Sequence, residues 1–184
     1  RHTRFRNVTG VQTCALPIWV EDGAIVGETT AENPTKGNTF LIWRQGLVDD
    51  FELTLKYRIT GTERANSGIQ YRSRDLGDSV VSGYQADFEA GPTYSGIVYE
   101  ERGRGILCQR GERVTIAADG AKRPGDPISD TAALQKVINP GKWNDYRIVA
   151  HGPRLQHFIN GQLMSEDRKS TRLNSSHVSE SRMP

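Results

Sequence analysis

The chain predicts an all-β fold, an antiparallel β-sandwich. Apolar residues alternate with polar ones in short runs, glycine is frequent, and helical spacing of apolar residues is nearly absent. Phe51, Leu53, Leu55, Tyr57 and Ile59 alternate with Glu52, Thr54, Lys56 and Arg58, which reads as a long half-buried strand. Ser67-Gly68-Ile69-Gln70-Tyr71-Arg72 repeats the pattern, with Ile69 and Tyr71 on one face and Gln70 and Arg72 on the other. Tyr84, Ala86 and Phe88 then alternate with Gln85, Asp87 and Glu89. Shorter strands are expected at residues 97–100 and 113–117, and longer ones at 143–151 and 154–159. Asn160-Gly161 is a two-residue hairpin signal, because both residues tolerate the left-handed backbone such a turn requires. Residues 120–130, with two prolines and several charges, read as a surface loop, and 131–137 as one short helix. Period-2 alternation puts one face of each strand into a core between two sheets and leaves the other face for function.

Both ends require separate treatment. Residues 1–18 can be back-translated into a DNA string whose reverse complement, read one base in, encodes residues 167–184 without a mismatch. Natural termini have no reason to be opposite strands of one DNA segment. The segment resembles a sequencing-library adapter, so the domain is expected to span residues 19–166, a fragment incomplete at both ends. Removing the ends leaves 17 basic and 20 acidic residues of the whole chain's 24 and 22, a net charge near −3. The apparent basicity therefore disappears, and with it an electrostatic case for a nucleic-acid partner. Cys14 goes with the first segment, leaving Cys108 alone, an inert thiol with no internal disulfide partner. No apolar run is long enough to span a membrane as a helix. With the closing strands after Met164 replaced by adapter, an exposed sheet edge, poor folding and an inactive fragment are expected.

Chemistry is expected on the polar faces of three consecutive strands. Gln70 and Arg72 lie on the first, Gln85, Asp87 and Glu89 on the second, and Glu100, Glu101 and Arg102 end the third. If the strands are neighbours, carboxylates, amides and guanidinium groups converge. Such planar polar groups recognise sugars, with aromatic rings stacking on their C–H faces. Tyr94 and Tyr99 can supply rings, whereas alternation sends Tyr71 and Tyr84 inward. Paired carboxylates can divide acid and base roles in glycoside cleavage. The same charges can equally form an ordinary solvated face, and His151 and His157 read as ordinary residues. Zinc-ligand spacing, a phosphate-cradling loop and a Ser/His/Asp signature are all lacking.

The segments Asn66-Ser67-Gly68-Ile69-Gln70-Tyr71-Arg72, Gly83-Tyr84-Gln85-Ala86-Asp87 and Thr93-Tyr94-Ser95-Gly96-Ile97-Val98-Tyr99-Glu100-Glu101-Arg102-Gly103 resemble the 3-keto-disaccharide hydrolase domain family. Gly141-Lys142-Trp143-Asn144 and Phe158-Ile159-Asn160-Gly161 extend the resemblance. It implies a concanavalin A-like jelly roll, export from a bacterial cell, and cleavage of glycosidic bonds in 3-keto-glucosides or disaccharides. In such a substrate the ketone acidifies the C2 proton, so a base can remove it and expel the C1 substituent. Water can then add back. On matching positions the resemblance makes Glu100 and Asp87 the acid/base candidates, with Arg72, Gln85, Glu89, Glu101 and Arg102 binding substrate. An arginine or a divalent metal would polarise the ketone. A non-catalytic carbohydrate-binding module of the same fold is the alternative.

Overall fold

The computed structural model describes residues 3–4, 11–13, 18–35, 37–77 and 80–169. The remainder of both expected adapter segments, with Cys14, lies outside them. The chain forms two compact units, residues 1–47 with 75–81, and residues 48–74 with 82–184. In the first unit, β1 (Thr3–Arg4), β3 (Ile18–Glu21) and β4 (Ala24–Gly27) form a three-stranded sheet, and β2 (Val11–Thr13) pairs with β5 (Leu41–Trp43). These short strands were not expected from the sequence.

The second unit is the sandwich. Its strands are β6 (Phe51–Tyr57), β7 (Asn66–Asp75), β8 (Val81–Glu89), β9 (Val98–Glu101), β10 (Gly105–Cys108), β11 (Arg113–Ile116), β12 (Lys122–Pro124), β13 (Asn144–His151), β14 (Arg154–Ile159) and β15 (Gln162–Lys169). Helix α1 (Thr131–Gln135) is capped by Asp130, whose carboxylate accepts from the Ala133 amide at 2.9 Å. One sheet runs β10-β9-β8-β7 and the other β12-β11-β15-β14-β13-β6. Between them pack Tyr57, Tyr71, Tyr84, Val98, Leu107, Tyr146, Ile148, Leu155, Ile159 and Met164. The inward faces of β6 and β8 are those the alternation assigns, save that Leu53 stays exposed, and Tyr146, Ile148, Leu155 and Ile159 form the inner faces of β13 and β14. Asn160 and Gly161 turn the β14–β15 hairpin at φ 50 and 80, as their sequence requires.

Three expectations are corrected. The loop over residues 120–130 contains β12, an edge strand formed by pairing with β11 despite its proline. Residues 105–108, outside the expected strands, form β10, whose alternation is too short to read in the sequence. The expected open edge after Met164 is closed. β15 continues to Lys169, antiparallel to β14 and parallel to β11, because backbone groups pair whatever the side chains are. The side chains fit less well: Asp167 is fully buried and neither of its carboxylate oxygens has a hydrogen-bond partner, nor does the Lys169 ammonium.

Candidate functional site

Strand register decides which polar residues meet. Residues directly opposed in an antiparallel pair share a face, and here Tyr84 opposes Glu100, Gln85 opposes Tyr99, and Gly83 opposes Glu101. Tyr84 and Ala86 face the core, so Glu100 lies on the inner side. Gln85, Asp87, Tyr99 and Glu101 share the outer face of the four-stranded sheet. Adjacent in sequence, Glu100 and Glu101 are thus separated by the sheet itself.

On that outer face Asp87 is nearly inaccessible, 6% exposed. The Gln85 amide donates to its Oδ1 at 2.5 Å, and Gln85 Oε1 accepts from Gln70 Nε2 at 2.6 Å. Behind them the Ser73 hydroxyl lies 3.1 Å from Gln70 Oε1. Burial pushes the Asp87 carboxyl up to about 6. The Gln85 and Asn66 amides oppose the rise, while the charges of Glu89 and Glu101 add to it. A carboxyl that is part neutral and part ionised near pH 6 can exchange a proton with a ligand in either direction. Gly68 makes room for this arrangement, since a Cβ there would stand 2.7 Å from Gln85 Cγ.

The other expected site residues are placed as follows. Glu89, also buried, accepts the Thr93 and Tyr94 amides at 2.5 Å each and so shapes the β8–β9 loop. That loop is also gripped by buried Arg110, which donates to the Ser95 and Pro92 carbonyls. Glu100 binds Arg104 through Nε at 2.5 Å, Nη2 at 2.9 Å and the backbone amide at 3.0 Å, closing the β9–β10 turn. Burial acts to raise the Glu100 carboxyl, but these Arg104 bonds outweigh it and hold it below the ordinary range. Arg102 occupies a left-handed position in the same turn, exposed.

Arg72 departs from the expected face. Its backbone is left-handed, φ 45, which interrupts the strand alternation and re-aims the side chain. The guanidinium donates to the Asp49 and Gly152 carbonyls, each at 2.7 Å, and to Asp50 at 2.9 Å. It therefore fastens β7 to the ends of β6 and β13, away from Asp87. Gln70, Ser73, Asn66 and Tyr99 instead complete the Asp87 face. Alternation alone points to Gln70 and Tyr99. Ser73 follows only from the irregularity at Arg72.

His157 sits between the sheets, its Nδ1 2.9 Å from the Ile97 carbonyl and its Nε2 3.0 Å from the Tyr71 hydroxyl. Burial depresses it to about 4, so it is a neutral core residue at ordinary pH. Among the described residues no three acidic, histidine or cysteine side chains converge to hold a metal ion. No described helix is long and apolar enough to cross a membrane.

Comparison with known proteins bears on the whole chain. No curated protein matches it. Among solved structures it is similar to the carbohydrate-binding module CBM66 from Bacillus subtilis. The TM-score is 0.55 at 15% identity, over 90% of this chain and 83% of that one, a likeness of fold. The model of the 3-keto-alpha-glucoside-1,2-lyase-like domain matches residues 2–181, so the chain belongs to that family.

Proposed function

We propose that the domain cleaves 3-keto-glucosides on the outer face of the four-stranded sheet, with Asp87 as the base. The observation that carries this reading is Asp87 itself, a buried carboxyl brought to about 6 and held by an amide. Its neighbours are a second carboxylate, Glu101, and the ring of Tyr99. Asp87 takes the C2 proton, which the C3 ketone acidifies. The C–H electron pair becomes the C1–C2 double bond, and the C1–O bond breaks with its electrons on the departing oxygen. Glu101, on the same face, enters this step as the neutral carboxylic acid, gives its proton to that oxygen and ends as the carboxylate. The family's lyase character supports elimination as the first event, and addition of water to the enone would make the net result hydrolysis. A sugar-cleaving domain of this kind belongs in an exported protein.

The test is ultraviolet detection of the conjugated enone released from a 3-keto-glucoside. The unaltered chain is expected to release it, and Asp87→Asn to lose about a hundredfold or more of the rate. Undiminished turnover by Asp87→Asn would sink the assignment. The second reading, a binding module, is favoured by Tyr94, exposed in the loop that Glu89 shapes, and by Tyr99 beside Gln85. It predicts sugar binding without turnover, lost with the rings and kept without the carboxylates.

A further inference from the structure

The hydrogen bonds ending on Asp87 have a direction. An ionised carboxylate can only accept, so Gln85 must present nitrogen to Oδ1. Its oxygen then faces Gln70, which must in turn present nitrogen, and Gln70 Oε1 is left for the Ser73 hydroxyl. The three separations, 2.5, 2.6 and 3.1 Å, all fit donors pointing toward Asp87. Bonds aligned in this way polarise one another. The opposite direction can also be satisfied. Ser73 Oγ lies 3.0 Å from the Tyr71 carbonyl, so its hydroxyl can turn there and accept from Gln70. Both amides would then be reversed, and Gln85 would offer an oxygen that a carboxylate cannot bond.

We infer that Gln70, which reaches Asp87 only through Gln85, is a positioning residue. It fixes the Gln85 amide with nitrogen on Asp87 Oδ1, so that this amide, together with that of Asn66, holds the carboxylate that takes the substrate proton. The inference rests on Asp87 as the base. The charged groups facing Asp87 are Glu89 from its own strand and Glu101 from β9, and they are unchanged in the tests below.

The experiment follows the Asp87 side-chain carboxyl carbon by NMR across pH in the full chain, without substrate, and separately the pH profile for turnover of a 3-keto-glucoside. Gln70→Met removes the donor behind Gln85 without adding charge. It is expected to raise the Asp87 midpoint by about half a pH unit or more and to lower kcat several-fold with KM little changed. The acid limb of the rate profile should move with the midpoint. Gln70→Glu, when ionised, can only accept: Ser73 still donates to it, Gln85 must turn its nitrogen to it and its oxygen to Asp87, and the added charge raises the midpoint further. Should Gln70→Met fail to fold, Gln70→Leu removes the same donor, likewise without adding charge, and decides instead. An Asp87 midpoint unmoved in a folded variant overturns the inference even if turnover is normal. A midpoint that moves in a chain without turnover keeps the chain of amides and sinks the enzymatic reading instead.

Discussion

The Tyr71 hydroxyl stands 3.0 Å from His157 Nε2, and this hydrogen bond joins the two sheets through the middle of the core. The Ile97 carbonyl can only accept, so Nδ1 carries the proton and Nε2 accepts from tyrosine. Tyr71→Phe leaves a buried imidazole nitrogen without a donor. We expect a loss of about 1–3 kcal/mol in denaturant unfolding, with Gln85 and Asp87 unaltered. The neutral ring also sets a pH dependence. The folded value of about 4 lies below the ordinary 6.5, so this group's contribution is full above 6.5 and is lost as pH falls toward 4. Imidazole nitrogen NMR at neutral pH should show the Nδ1–H tautomer. The opposite tautomer would contradict the assignment.

Asp167 and Lys169 are the places where β15 fits its surroundings worst. Asp167 opposes Leu155 on one side and Val114 on the other, both buried, and Lys169 opposes Ile116. Burial pushes the Asp167 carboxyl up to about 7 and draws the Lys169 ammonium down to about 8. The Asp167 carboxylate oxygens stay without a hydrogen bond there, while the Lys169 ammonium lies 4.3 Å over the Tyr84 ring. Asp167→Leu and Lys169→Leu are each expected to stabilise the chain by about 2 kcal/mol, read as a raised Tm.

The pH sign for Asp167 is the reverse of that for His157. A folded value raised from 3.8 to about 7 favours the neutral acid. Its contribution is therefore present below about 4 and lost as pH rises through 7. Asp87, raised to about 6, acts in the same direction. Melting curves between pH 4 and 8 should show stability falling toward alkaline pH, and Asp167→Leu should remove much of that fall. An unchanged profile would show that Asp167 is not buried as described.

Glu100 and Glu101 should separate cleanly in function. Glu100→Ala breaks the bonds to Arg104 that close the β9–β10 turn. It should cost about 1–2 kcal/mol of stability while the folded fraction retains turnover. Glu101→Gln should leave the melting temperature nearly unchanged and lower turnover of a 3-keto-glucoside about tenfold or more. Loss of activity on the Glu100 change, at unchanged stability, would reverse the assignment.

Gly68 tests the packing beneath the site. A methyl group there would collide with Gln85 Cγ at 2.7 Å and press on the Ala86 carbonyl at 3.0 Å. Gly68→Ala should displace Gln85 from Asp87, lowering turnover more than Gly27→Ala, where a Cβ meets only Ile18 at 3.9 Å. Equal effects would mean that the Gln85 contact to Asp87 does not matter to the reaction.

Alternation by itself determined the β class, the inward tyrosines and the outward Gln70, Gln85 and Asp87, because a strand's side chains must point to opposite faces in turn. The Asn160-Gly161 turn was equally legible, since few residues accept two successive left-handed positions. The choice between Glu100 and Glu101 was not, because it depends on which residue of a partner strand each one opposes, and a one-residue slip exchanges the faces. Nor was the redirection of Arg72, where a left-handed backbone breaks the rule on which the sequence reading rests. The raised carboxyl of Asp87 was also decided only in three dimensions. Burial and neighbouring charge come from strands distant in sequence, and only their packing around one carboxylate changes how tightly it holds a proton.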